Sequence, residues 1–448
     1  MSDIESIKRD RHKLATWDDQ RKLWKPIPLA LTPVRVKLSD WISIQRAAEN
    51  IASAFPKIHD WLLKPDNRLV HSKIYRGLTG LEEIAASRPA KHHWGHVTWR
   101  FDLFWDQQDL RVIEANCTIP AMQAYSDIAR DLVGLVNGPS NSDQLMKCLL
   151  QAYKHRGGNS DFPTLCILHR DGDSQLAELN HYLKNWSKDV KVVLATPAEL
   201  DLKDDNLYVR GEKIDLCYRH IFAWRLENQP VLSRYLSDSQ NHLIFNPVSA
   251  HYESKAFLAF LSEVANDSGI CQDVGLSLDT IQAVKDRVPW TRVLSRNVFV
   301  RGNSQFDFEC SDLDFSKLNV DEYVVKSSIG YGGHQVIIGS DWFEPQTQIK
   351  LKSFLARNDT VTFSMFAEWA MDQSEATWII QKRLSGRRHL TQILDADNRL
   401  IEMDTFVDAS VFLSTIPEIR AHGGVSRFAG NTIVNIGTGG GLAPFSID

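Results

Sequence analysis

Two short stretches carry side chains whose types and spacing suit metal and phosphate chemistry. The first is Arg100-Phe101-Asp102, followed by Glu114-Ala115-Asn116. In a strand, residues two apart share a face, so Arg100 points with Asp102 and Glu114 with Asn116. If the two strands pair around the polar turn Asp106-Gln107-Gln108-Asp109, one sheet face carries all four. Three hard oxygen donors, Asp102, Glu114 and Asn116, suit Mg2+ shared with the phosphates of ATP, and an adjacent Arg100 suits an anionic intermediate. The solvent face of a plain hairpin, with Arg100 in a surface ion pair, has the same alternation.

The second stretch is Lys326, followed by Ser327, Ser328, Ile329 and then Gly330-Tyr331-Gly332-Gly333. A lysine at the end of a strand, before a glycine loop that returns into a strand, suits a lid over nucleotide phosphates. Glycines let backbone N–H groups approach the oxygens, and the lysine adds a point charge. The order is not GxxxxGK[ST], which excludes a Walker A loop. Lys326 is expected as an exposed loop residue with little packing, and an ordinary glycine hairpin reads the same way. Glycine turns are also expected at 423–424 and 437–441, with Arg427 between them. His92, His93 and His96 lie close together, but a metal site there needs further ligands, so a loop or substrate-pocket role is favoured. Lys382, Arg383, Arg387 and Arg388 form a basic cluster that could face phosphates or solvent.

The elements that must position these groups show in the texture of the chain. Residues up to about 89 read as helices, with 39–63 carrying apolar residues at helical spacing. Strands are expected at 96–105 and 110–117, then a short helix over 126–138 ending at Gly138. Strand, helix and strand follow at 164–170, 174–186 and 190–196, an α/β unit with a buried parallel pair, and 215–224 is a further strand. Residues 254–265 form an apolar helix, 289–297 begin another helix or turn, 323–339 are strand, glycine turn and strand, and 378–384 are a strand.

Composition narrows the classes. A chain of 448 residues is long enough for two or three packed units. With 43% hydrophobic and 24% charged residues it is not a disordered chain, and a net charge of -5 argues against general nucleic-acid binding. No run approaches the roughly 20 apolar residues of a membrane helix, and residues 1–24 lack the apolar centre of a signal peptide, so a cytoplasmic protein is expected. Six dispersed cysteines without a CxxC pair suggest buried thiols rather than zinc knuckles or disulfides.

Taken in order, these motifs resemble the circularly permuted ATP-grasp proteins, the group that includes glutathionylspermidine synthetase and is similar to eukaryotic glutathione synthetase. There an Arg-x-Asp strand precedes a Glu-x-Asn strand whose Asp, Glu and Asn bind magnesium. The resemblance implies Asp102, Glu114 and Asn116 as Mg2+ ligands, and Lys326 with Gly330, Tyr331, Gly332 and Gly333 as the lid over ATP. It makes Lys255 the second ATP lysine, and the strand bearing Gln381, Lys382 and Leu384 the one that meets adenine. Arg427 gains a phosphate-facing role, and Arg100 stabilises the tetrahedral oxyanion. Ser327 stands where the family has Pro, and Lys382 where Glu is common.

The implied fold is α/β (α+β): a circularly permuted ATP-grasp fold with an additional Rossmann-like α/β layer. The chain divides into an N-terminal helical region (1–90), the metal and substrate hairpin (91–160), a Rossmann-like subdomain (161–250), the lid and nucleotide subdomain (251–385) and the C-terminal part of the core (386–448). The implied activity is ligation of a small carboxylate to an amine of amino-acid, peptide or polyamine type, through an acyl phosphate, with release of ADP and phosphate. The alternatives are a small-molecule kinase and a non-catalytic ATP-binding protein, with neither nucleic acid nor membrane as partner.

Overall fold

The hairpin forms as strands Trp99–Asp106 and Asp109–Asn116. In the computed structural model the described residues are 3–18, 21–92, 95–135, 138–204, 206–226, 228–229, 236, 243–300, 304–330 and 335–448. The hairpin is one edge of an eight-stranded sheet in the order Leu400–Val407, Arg387–Leu394, Leu29–Ala30, Gly441–Ala443, Arg420–Ala429, Ala409–Ser414, Trp99–Asp106, Asp109–Asn116. At the other edge Leu400–Val407 also pairs with Arg420–Ala429, so that end curls onto itself. Helix Leu38–Leu62 buries Trp41, Ile44, Ala48, Ile51, Phe55, Ile58 and Leu62, a stripe at helical spacing. The stripe lies on the sheet: Phe55 sits 5.3 Å from Trp99 and 5.8 Å from Phe101, ring centre to ring centre.

A second, antiparallel sheet runs Thr291–Leu294, Trp378–Lys382, Tyr323–Ser327, Val336–Ile338. Helix Lys255–Val264 packs against both of its first two strands and against Asp109–Asn116. Nearly every residue of that helix is buried, as expected for one that is apolar all round. A third sheet is wholly parallel, in the order Ile244–Phe245, Leu216–His220, Thr164–His169, Lys191–Ala195, with helix Leu176–Trp186 as a crossover. Its central strand Thr164–His169 is a nearly continuous buried apolar run, as a strand covered on both faces requires, while the edge strand Lys191–Ala195 is only partly buried.

Four local expectations are corrected. The first 90 residues are not all helical: Ala15–Asp18, Leu23–Pro26, Leu29–Ala30 and Val34–Val36 are strands. Pro26, Pro28 and Pro33 remove the donors a helix there would need. The helix expected to reach Gly138 is Gln123–Leu132, and Gly134, at φ +79°, lies just beyond its end. Thr291–Leu294 is a strand, fixed by long-range pairing to Trp378–Lys382 rather than by local propensity. Gly423 and Gly424 lie inside strand Arg420–Ala429 and make no turn. All six cysteines are buried and free. Among the described residues no helix is long and apolar enough to cross a membrane.

The reason for Gly424 is close approach. A carbon added there would lie 2.6 Å from the Ser410 carbonyl oxygen and 2.8 Å from the Trp41 ring. Gly424→Ala is therefore expected to destabilise the fold by about 1–3 kcal/mol, as overpacking does. An unchanged urea midpoint would contradict this packing.

Candidate functional site

Strand pairing sets Arg100 opposite Asn116 and Asp102 opposite Glu114, with a bulge after Asp102 that re-aims the strand. Arg100 grips Asp102 with both ends of its guanidinium, Nε to Oδ1 at 2.7 Å and Nη2 to Oδ2 at 3.2 Å, while Nη1 donates to the Ala121 carbonyl. From the next strand, Ser410 donates to Oδ1 at 3.1 Å. One strand further, Arg427 Nη2 donates to Asp102 Oδ2 at 2.9 Å, and Arg427 also donates through Nε and its backbone N–H to Asp408. Arg100 and Asp102 are only 8% and 6% exposed, so this is no solvent face with a surface ion pair. Burial pushes the Asp102 carboxyl up, but Arg100 and Arg427 outweigh it and hold Asp102 well below the usual range. Asp408 goes the other way: burial raises it, and Arg427 only partly compensates.

Glu114 pairs with Lys255 at 2.9 Å, and the same ammonium donates to the Gly330 carbonyl at 2.9 Å. The helix after the parallel sheet therefore reaches both the hairpin and the start of the glycine loop. Lys326 stands near the end of a strand, as expected, but it is not exposed. It lies within strand Tyr323–Ser327, is 7% exposed, and donates to Gln381 Oε1 at 2.7 Å. Burial brings its pKa down to about 8, with Glu114 and Asp102 raising it and Lys255 lowering it further.

These groups share one cavity of about 210 Å³. Arg100, Asp102, Glu114, Asn116, Lys255, Lys326, Gly330, Gln381, Lys382, Leu384 and Arg427 all line it. Tyr331, Gly332 and Gly333 lie outside the described residues, as does His93. The sequence reading missed Asp408 and the apolar wall of Phe104, Ile113, Val324, Val336, Ile338, Ile433 and Val434. Asp408 has no motif around it; its only signal is the partner Arg427, nineteen residues on and one strand over. The basic cluster splits. Lys382 lies at the cavity, paired with Glu322 and above the Tyr323 ring, and Arg383 lies there with it. Arg387 rests on Trp105, and Arg388 pairs with Asp404. His96 is buried against the Ser249 hydroxyl at 2.8 Å.

Six cationic side chains (Arg100, Lys255, Lys326, Lys382, Arg383, Arg427) meet three carboxylates (Asp102, Glu114, Asp408) in this lining. The surplus favours a polyanion, and the apolar wall suits a flat ring. Among the described residues no group of three or more His, Cys, Asp or Glu side chains is placed to hold a metal ion. Two carboxylates and an amide on adjacent rungs do fit Mg2+, which is commonly held by one or two carboxylates plus phosphate oxygens. A bare cation would meet the positive surplus; one arriving with a polyphosphate would not.

The architecture is mixed α/β. The chain is similar in structure to a glutathione synthetase-like effector from Globodera pallida in its apo form, with a TM-score of 0.60 and 10% identity over 96% of each chain. It is also matched, at 11% identity over 87% of each chain, by a protein assigned as a gamma-glutamylcysteine synthetase from Methylobacillus flagellatus, but a TM-score of 0.40 carries no weight. At these identities the likeness establishes the fold alone. No family model and no curated protein sequence matches the chain.

Two expectations follow for the site. Asp102→Asn would leave Arg100 and Arg427 buried without a full counter-charge, so a loss of about 3–5 kcal/mol is expected. Glu114→Gln leaves the buried Lys255 with the Gly330 carbonyl alone, but at a partly exposed position, so a smaller loss of about 1–3 kcal/mol is expected. Urea unfolding of the two variants checks the contrast, and equal losses would contradict it. The second concerns Lys326. A folded-state pKa of about 8 against 10.5 means the protonated lysine opposes folding by about 3 kcal/mol below pH 8, an opposition relieved as pH rises toward 10.5. Lys326→Met should therefore stabilise the protein at pH 7, less about 1 kcal/mol for the donor lost to Gln381, and the gain should fade by pH 10. Unfolding curves at both pH values test the sign.

Proposed function

We propose that this chain is an ATP-dependent carboxylate–amine ligase on a circularly permuted ATP-grasp architecture, its parallel sheet serving as the Rossmann-like layer. The observation that carries the reading is the meeting of Lys255, Lys326 and the Asp102–Glu114 rung, drawn from three separate elements into one cationic cavity. Asp102, Glu114 and Asn116 are the donors that would hold Mg2+. Magnesium supplies charge neutralisation at phosphate oxygens. Lys255 and Lys326 bind those oxygens as point charges, while Phe104, Ile338 and Leu384 exclude water from the ring-binding part of the cavity. Arg427 and Arg100 keep Asp102 ionised and aimed, and the N–H groups Arg100 does not spend on Asp102 and Ala121 serve the oxyanion of amide formation. The substrates are a small carboxylate and an amine of amino-acid, peptide or polyamine type, in a cytoplasmic setting.

The test is ADP release with MgATP and pooled amino acids, small peptides and polyamines, with products read by mass spectrometry. An amide formed in step with ADP is expected. A phosphorylated product without amide would make the protein a kinase, and stabilisation by MgATP without turnover a binding protein. MgATP at 100 times its dissociation constant should add about 2.7 kcal/mol to stability, visible as a raised melting temperature. Absence of both the shift and ADP release would overturn the reading.

A further inference from the structure

Among the described residues Lys326 is paired with no carboxylate. Its hydrogen-bond partner is the neutral amide of Gln381, and that amide is itself held. The register of the second sheet sets Thr291 opposite Gln381, and Gln381 opposite Val324, so Lys326, two residues along, is a diagonal neighbour on the same face. Thr291 donates its hydroxyl proton to the Pro289 carbonyl at 2.7 Å, which can only accept. Thr291 Oγ1 must then accept from its other neighbour, Gln381, at 3.0 Å. Only the amide nitrogen can donate, so the amide oxygen is turned toward Lys326, at 2.7 Å. Thr291 and Gln381 are 0% and 3% exposed, so water has little access to reverse the order.

We infer that Gln381, locked by Thr291, is a positioning residue that fixes the aim of the Lys326 ammonium without cancelling its charge. One N–H is spent on the amide and two remain for the cavity. The charged groups facing Lys326 from other elements are Glu114 and Asp102 of the hairpin and Lys255 of the apolar helix. With a neutral partner in its own sheet, burial sets where Lys326 loses its proton, near pH 8. An anion bound at the ammonium holds the proton on. Anion affinity is therefore full below pH 8 and declines as pH rises through it. A carboxylate in place of the amide would keep Lys326 protonated but already paired, and an incoming phosphate oxygen would have to displace it. The anion-binding consequence rests on the phosphate reading of the cavity; the setting of the lysine does not.

Two measurements separate them. Competitive labelling of lysines with acetic anhydride across pH, read by mass spectrometry on the peptide containing Lys326, reports its protonation without any nucleotide. A midpoint near 8 is expected in the wild-type chain, raised by at least one unit in Gln381→Glu. Calorimetric titration with inorganic tripolyphosphate should show affinity falling roughly tenfold from pH 8.5 to 9.5, the loss of one linked proton. In Gln381→Glu, affinity at pH 7 should drop at least tenfold and the pH dependence should flatten. Thr291→Val changes no charge, and should weaken binding severalfold by freeing the amide; Thr291→Ser keeps the hydroxyl, should bind as wild type, and serves if the valine variant fails to fold. Equal labelling midpoints in wild type and Gln381→Glu, or equal affinities in Thr291→Val and Thr291→Ser, would overturn the inference. No tripolyphosphate binding by the wild type, with the labelling shift intact, would support the Gln381 lock and overturn the phosphate reading alone.

Discussion

A carboxylate gripped by two arginines is the interaction on which the rest of this structure depends. Asp102 lies between Arg100 and Arg427, and Arg427 continues to Asp408, an alternating row of four charges across neighbouring strands, with Arg427 part-buried and the other three buried. Such a row is tolerable in a low-dielectric interior only while every member is paired; removing one strands another. The row is also unforgiving of register. A slip of one residue in strand Trp99–Asp106 would turn Asp102 to the opposite face, against helix Leu38–Leu62. Sheet register and site geometry are therefore the same requirement, written in the same side chains.

From that row the site is assembled by a few short connections. Residues 253–255 do most of the joining. Glu253 accepts the backbone N–H groups of Cys117 and Thr118, fixing the chain where it leaves the hairpin. Two residues on, the Lys255 backbone N–H donates to the Ser328 carbonyl, and its ammonium spans Glu114 and the Gly330 carbonyl. The hairpin and the strand that leads into the glycine loop thus both hang on one turn of chain. The outcome is a cavity whose lining carries more cations than carboxylates.

Much of this was legible in the sequence where the signal is local. Alternation and a polar turn revealed the hairpin and put Asp102 and Glu114 on one face, because strand periodicity needs no tertiary information. The apolar run after Lys255 announced a buried helix for the same reason. Non-local features escaped. Thr291 looks like the start of a helix until its partner Gln381, ninety residues away, is known. Gly423 and Gly424 look like a turn until Trp41 and Ser410 are seen to crowd them. Lys326 reads as exposed because glycines follow its strand, whereas its burial is decided by the strands on either side. Asp408 had no local mark at all.

The contrast between fold and cavity shows where function is written. The architecture persists at 10% identity over 96% of the chain, because a core asks only for apolar residues at the right period and volume. The cavity asks for something folding does not reward. Holding Lys326 buried beside Lys255, with its pKa pushed down to about 8, works against the folded state rather than for it. Side chains that break the agreement between local choice and global stability mark functional sites more than scaffolds. Within the described lining cations outnumber carboxylates, and Glu322, outside it, takes up Lys382. The ligand proposed for the cavity, a polyanion carrying a divalent cation, would complement both the lysines and the carboxylate rung.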